Sequence, residues 1–255
     1  MRRLGSRNIR VAPRGGAATR SIHAQASAGI TLWGSEDVAQ GAAPDVTVFW
    51  LHGLGDTADG WVGAFVPGGG IAPPPSASYK IVLPTAATQP VTLNGGMPMP
   101  AWFDVYGLDK SAESDEAGIL AAVARLDRLA AQEDPSTTIV YGGFSQGGAI
   151  ALTAGLRSSI QNVGAVVGAS TWLPLGETYP AALADGALAR PVSLHHGEAD
   201  EVVRTTWGQA SLEKLRELGV DAEMTMYPGM AHSACDEEFA AVSSFLARVV
   251  GETSS

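Results

Sequence analysis

Apolar residues fall into two patterns along this chain. Some form short unbroken runs, such as Val46-Thr47-Val48-Phe49-Trp50-Leu51; others return every third or fourth position over longer segments. An unbroken run suits a strand buried on both faces, and the wider spacing suits a helix with one buried stripe. Strands are predicted at 30–33, 46–51, 79–83, 137–141, 163–167, 191–196 and 222–227. Between them, Ser114 stands as an N-cap before Asp115 and Glu116, with Ile119, Leu120, Val123 and Leu126 as a buried stripe. Further helical segments lie at 149–156, at 206–218 before Gly219, and around Phe239, Val242, Phe245, Leu246 and Val249. This alternation predicts an α/β fold, a doubly wound, mainly parallel sheet with helices on both faces.

One stretch resists the alternation. From Pro84 to Asp109 no clear period holds, and an irregular segment longer than about fifteen residues is uncommon in a compact domain unless it binds something. It carries Leu93, Met97, Met99, Trp102 and Phe103, which suit either an apolar substrate surface or a hairpin capping the sheet.

The most informative junction is Gly143-Phe144-Ser145-Gln146-Gly147, between the strand at 137–141 and the helix at 149–156. A serine at a sharp strand-to-helix corner is lifted clear of the sheet, and the first free helix N–H groups point at any oxygen attacked beside it. Glycines at 143 and 147 remove side chains that would clash where helix and strand meet. The Gln146 N–H is the natural donor to such an oxygen. A second donor is expected on a loop after an early strand, and Leu54 N–H, between Gly53 and Gly55 in His52-Gly53-Leu54-Gly55-Asp56, fits.

A serine hydroxyl needs a base, and the base needs an acid to hold its tautomer. Of five histidines, His232 follows the last strand on a loop, whereas His195 and His196 belong to a strand and His52 to the early loop. Asp200, in the loop leaving the strand at 191–196, is chosen as the acid over Glu198, Glu201 and Asp236. The order serine, acid, histidine then matches a nucleophile-elbow enzyme. Trp172 and Leu173 leave the carboxyl end of another strand, where ligands of open α/β sheets bind, although Trp172 also suits a core position.

Composition narrows the classes. At 255 residues with 45% hydrophobic and 16% charged positions, the chain is an ordinary globular domain, and no run of eighteen apolar residues offers a membrane span. The single Cys235 forms no internal disulfide and makes a zinc site unexpected. Six arginines and no acid precede Glu36; of 16 basic residues, ten remain against 26 acidic ones, a balance that disfavours nucleic acid as a partner. Residues 1–28 are expected to be a transit peptide or a disordered basic leader, with Arg3, Arg7, Arg10 and Arg14 spaced to share one helical face, and 29–255 a single domain. A transit peptide would place the protein in a chloroplast or mitochondrion, and otherwise it is expected in the cytoplasm.

Together the segments 51–56, 90–93, 102–104, 143–148, 171–175, 196–200 and 229–233 resemble acyl-protein thioesterases of the phospholipase/carboxylesterase family of α/β-hydrolases, in order from about residue 45 onward. The resemblance implies Ser145, Asp200 and His232 as a catalytic triad, with the Leu54 and Gln146 amides as an oxyanion hole. It also implies an acyl channel near Leu93, Trp102, Trp172 and Leu173, no metal or cofactor, and a fatty-acylated protein or a lipid or small ester as substrate. Glu198 replaces a usual aspartate and Thr171 a common cysteine.

Overall fold

The computed structural model describes residues 7–10, 21–25, 29–66, 69–72, 77–107 and 113–253. Among these, a nine-stranded sheet runs in the order β1 (Arg7–Arg10), β2 (Ser21–Gln25), β3 (Gly29–Trp33), β5 (Tyr79–Pro84), β4 (Val46–Leu51), β8 (Thr138–Phe144), β9 (Val163–Ala169), β10 (Val192–Gly197) and β11 (Ala222–Tyr227). From β5 to β11 neighbouring strands are parallel; β1, β2 and β3 join antiparallel at one edge. Arg7 and Arg10 therefore lie in a strand instead of on the expected helical face. Pro13 and the Gly15-Gly16 pair leave too little chain for a helical nucleus. The remaining leader residues, Arg3 and Arg14 among them, lie outside the described residues.

Because successive side chains of a strand point to opposite faces, one run feeds two cores. In β4, Phe49 and Leu51 join a cluster with Ile119, Leu126, Ile150 and Leu215, while Val48 and Trp50 join Trp61, Phe65, Phe245 and Leu246 on the other face. The first face is covered by α3 (Glu116–Ala130), α4 (Gln146–Arg157) and α5 (Thr205–Glu217), the second by α2 (Ala58–Phe65) and α6 (Asp236–Thr253). A short α1 (Glu36–Ala39) links β3 to β4. Every residue of α4 from Gln146 to Leu156 is buried, so this helix has no solvent face at all.

Two local expectations shift. The cap of α3 is Asp115, one residue after Ser114: its carboxylate accepts the Gly118 N–H at 2.9 Å and the Asp104 N–H at 2.9 Å. The irregular stretch contains a hairpin, β6 (Thr88–Val91) against β7 (Met97–Pro100), turned by a short 3-10 segment and by Gly95 and Gly96 in left-handed conformations.

The crossing of α4 over the sheet brings backbone against backbone. A Cβ on Gly147 would stand 2.2 Å from the Leu51 carbonyl oxygen and 2.5 Å from that of His52, and one on Gly143 would stand 2.5 Å from the Gly147 carbonyl carbon. These neighbours are backbone and have no rotamer to yield. Gly147→Ala is therefore expected to cost at least about 3 kcal/mol, the upper end of overpacking penalties, read as a lowered urea midpoint.

Candidate active site

Four loops leave the carboxyl ends of β4, β8, β10 and β11 and meet above the sheet. At the end of β8 the chain turns through Ser145 with φ 53° and ψ −121°, a conformation rarely adopted by a residue with a side chain. It is held there by its N–H, which donates to the Ala169 carbonyl at 2.8 Å, and by the glycine crossing below. Ser145 is 8% exposed, which leaves a narrow approach to its hydroxyl.

His232 stands between β11 and α6 with Nε2 3.0 Å from Ser145 Oγ and Nδ1 2.8 Å from Asp200 Oδ2. Nδ1–H donates to the carboxylate, so the Nε2 lone pair is left to accept the serine proton. The ring packs on Phe144, centroids 4.7 Å apart. Asp200 is buried, and its second oxygen accepts the Val202 and Val203 N–H groups, each at 2.9 Å. Three donors thus compensate one buried negative charge. The competing acids are elsewhere: Glu198 and Glu201 are exposed and Asp236 opens α6 at the surface.

The acid and base loops are laced together. Glu198 N–H donates to Tyr227 O at 3.0 Å and Ala199 N–H to Met230 O at 3.0 Å, and a Cβ on Gly197 would stand 2.1 Å from Met230 O. Below them, His196 donates from Nε2 to Val203 O at 2.7 Å, which leaves it 3.5 Å from Asp200; burial lowers its pKa and keeps the ring neutral.

The two residues expected to supply oxyanion donors, Leu54 and Gln146, lie in the loop after β4 and at the start of α4. The Gln146 N–H is the first of α4, where no preceding turn supplies an acceptor. In the loop after β4, Gly55 N–H donates to Pro100 O at 2.9 Å and Asp56 N–H to Gly53 O, which fixes the turn on either side of Leu54. A Cβ on Gly53 would lie 3.5 Å from Ser145 Cβ, which shows how closely this turn approaches the serine. His52 holds the turn from inside: it accepts the Ala86 N–H at Nε2, 3.0 Å, and donates from Nδ1 to Gly53 O, 2.7 Å. Burial lowers its pKa, and protonation at Nε2 would break the first of these bonds.

A cavity of about 370 Å³ is walled by Phe103, Trp172, Leu173, Leu175, Ile119 and Trp207, with Asp104, Asp115, Glu177 and Lys214 among its polar lining; Ser145, Asp200 and His232 do not line it. The residue before Trp172 is Thr171, whose buried hydroxyl donates to the Ser145 carbonyl at 2.7 Å. Of the four residues expected to line an acyl channel, Trp172 and Leu173 line this cavity and Leu93 and Trp102 do not. Leu93 is exposed at the hairpin turn. Trp102 is buried, its indole N–H donating to His52 O at 2.8 Å and its ring lying between His52 and the Arg125 guanidinium. Its neighbour Phe103 faces the cavity instead. Sequence reasoning missed the Gln146 side chain, whose Oε1 accepts the Trp102 N–H at 2.9 Å and whose Nε2 donates to Phe103 O at 2.7 Å. It also missed Trp207, which stands edge-on to Trp172, 6.1 Å between centroids. Among the described residues, no group of three or more His, Cys, Asp or Glu side chains is placed to hold a metal ion.

The phospholipase/carboxylesterase family profile matches residues 35–250. The chain belongs to that family. It is 41% identical over 228 residues to acyl-protein thioesterase 1 of Mycosarcoma maydis, covering 82% of this chain and 93% of the relative, and 38% identical over 211 residues to acyl-protein thioesterase 1 of Neurospora crassa, covering 78% and 85%. Among solved structures, Zea mays acyl-protein thioesterase 2 superposes with a TM-score of 0.76 at 30% identity, covering 88% of this chain and all of that one. The edge strands β1, β2 and β3 of the sheet precede the matched range.

Beneath the site, His195 is buried between Ser193 Oγ, 3.1 Å away, and Tyr227 OH, 2.8 Å away. Desolvation lowers its pKa from 6.5 to about 4. The folded protein therefore binds fewer protons than the unfolded chain between these values, and the stability this gives, present above pH 6.5, is lost as pH falls through about 4. Urea midpoints are expected to drop over that window, by up to ~3 kcal/mol in stability, and the slope should flatten in His195→Gln.

Proposed function

We propose that this protein is a serine hydrolase that cleaves fatty acyl thioesters of proteins, with Ser145 as nucleophile, His232 as general base and acid, and Asp200 holding the imidazole in the tautomer that accepts the serine proton. The observation that carries this reading is the hydrogen-bonded line Ser145–His232–Asp200, with distances of 3.0 and 2.8 Å, at a strained corner. The acyl-protein assignment is supported by the named relatives and by a cavity whose lining includes Phe103, Trp172 and Leu173, the last two following Thr171, which bonds the Ser145 carbonyl.

In the first half-reaction Ser145 Oγ attacks the carbonyl carbon as His232 Nε2 takes its proton. The oxyanion accepts from the Leu54 and Gln146 N–H groups, and loss of one such donor typically lowers turnover by about 10²–10³. His232 returns the proton to the departing thiolate, leaving an acyl-Ser145 ester. Water then attacks this ester by the same route and releases the fatty acid. The acyl chain lies along Trp172, Leu173 and Phe103, and its carrier is a fatty-acylated protein. The reading requires neither metal nor cofactor. We take residues 29–255 as the hydrolase domain and 1–28 as a basic leader, a division supported by a family match that starts at residue 35.

A second reading, a carboxylesterase or lysophospholipase acting on oxygen esters, is favoured by the family description itself and uses the same groups with an alkoxide leaving. Hydrolysis of an S-palmitoyl peptide measured against its O-palmitoyl serine counterpart separates the two. Preference for the thioester is expected; equal or faster oxygen-ester cleavage overturns it in favour of the second reading. Labelling by a fluorophosphonate probe should vanish in Ser145→Ala, and turnover should fall by about 10³–10⁴ in Asp200→Asn, which would hold the wrong imidazole tautomer. Across acyl lengths, kcat/KM should climb by at most about fourfold per methylene, equivalent to ~0.8 kcal/mol of burial, until the cavity is filled. A flat series would remove the cavity from the mechanism.

A further inference from the structure

Glu238, in the first turn of α6, is 1% exposed, and its Oε2 has no hydrogen-bond partner. A carboxyl is seldom buried this completely, and an unpartnered oxygen on it calls for an explanation. Its other contacts are specific. The Cys235 backbone lies against the carboxyl and the Glu238 backbone against the Cys235 thiol, each favouring the charged form of the group it faces. With Phe239 N–H donating to Cys235 O at 3.1 Å, Cys235 stands at the helix cap and Glu238 three residues on, the spacing of a capping box with a thiol in the place usually held by serine or threonine.

The location gives the box its importance. Cys235 ends the loop that begins after Tyr227 and carries His232. At the β11 end that loop is fixed by Tyr227 O and Met230 O, which accept from the acid loop. At the α6 end it stops at Cys235, whose carbonyl accepts the Phe239 N–H and beside which the Glu238 carboxyl is buried. We infer that Glu238 is a positioning residue for the base: by holding the Cys235 N–H from a buried site, its carboxyl fixes the far end of the loop that presents His232 Nε2 to Ser145. This rests on the functional reading above.

The carboxyl does this work as a neutral acid. Among the described residues, the ionisable groups acting on it or sharing its surroundings are Tyr227 from β11, with His195 of β10 hydrogen-bonded behind it, and Cys235 and Glu237 at the start of α6; none is a cation. Burial raises the Glu238 pKa from 4.5 to about 7, so below that pH the carboxyl is predominantly neutral. Folded-state pKa above unfolded means that the stabilising contribution is complete below pH 4.5 and is lost as pH rises through about 7. Above that, an uncompensated charge forms under the base loop, and the loop relaxes to let water reach it.

The test compares wild type with Glu238→Gln, a neutral isostere that keeps an oxygen for the Cys235 N–H, and Glu238→Ala, which removes it. The rate of fluorophosphonate labelling at Ser145, and kcat and KM on a short-chain p-nitrophenyl ester, are measured from about pH 6 to 9, with thermal melting as the fold check. In Glu238→Ala, labelling and kcat should fall on the order of tenfold with KM within about twofold, because the base is misplaced and the binding cavity is intact. Glu238→Gln should restore the rate below pH 7 and remove the decline that wild type shows above it. Wild-type labelling rates in the alanine variant, or identical alkaline profiles in wild type and Glu238→Gln, overturn the inference; the second comparison decides even if the alanine variant does not fold. A wild type that is never labelled overturns the functional reading and, with it, this one. A labelled wild type with unaffected Glu238 variants overturns only the positioning role.

Discussion

Where α4 crosses β4 and β8, backbone meets backbone with no side chain between. Gly143, Gly147 and Gly148 allow it, and each would drive a Cβ to within 3 Å of main-chain atoms. The chain can enter the helix at such short range only by reversing sharply, and Ser145 takes the positive φ that the reversal demands. The same crossing carries the first N–H of α4 to the mouth of the site and leaves α4 wrapped on all sides by the core. A helix buried over its whole length cannot settle into a compromise position, so the strain at Ser145 is stored by packing across the sheet.

Above this crossing the polar groups are arranged so that very little net charge is buried. Two backbone amides and one imidazole N–H face the Asp200 carboxylate. His195 and His196 sit close by and are held neutral by desolvation. The layer between the sheet and the site is therefore polar in its hydrogen bonding and nearly uncharged in its electrostatics. In that setting the field of one carboxylate is concentrated on His232, the one titratable ring it contacts at hydrogen-bond distance that also reaches the serine.

Much of this was legible in the sequence because it depends on short-range pattern. Unbroken apolar runs marked the parallel strands, and the glycines around Ser145 marked the corner. Asp200 could be separated from Glu198, Glu201 and Asp236 by its place in the loop after a strand. What stayed hidden depended on contacts between distant segments. Trp102 and Phe103 are neighbours on an irregular stretch with no period to tell inner from outer, so the sequence did not show that Phe103 faces the cavity and Trp102 supports His52. Leu93 looked like a lining residue by its chemistry alone, yet the hairpin turns it outward. Ser114 and Asp115 are both good caps, and only the Asp104 amide, also seeking an acceptor, selects the second. The base leader's arginines suggested a helix by spacing, which carries no information about an available sheet edge.

The two ends of Gln146 belong to different tasks. Its backbone N–H opens α4 and is the proposed oxyanion donor, while its side chain grips the main chain at Trp102 and Phe103 and so fixes one wall of the cavity. On the proposed function, a substrate chain seated against Phe103 would press on the same residue that carries the oxyanion donor. The protein therefore has the means to convert the fit of a remote hydrocarbon tail into the alignment of the dipole that meets the transition state. Chain length would then be read as speed of turnover, with affinity only a secondary reporter of it.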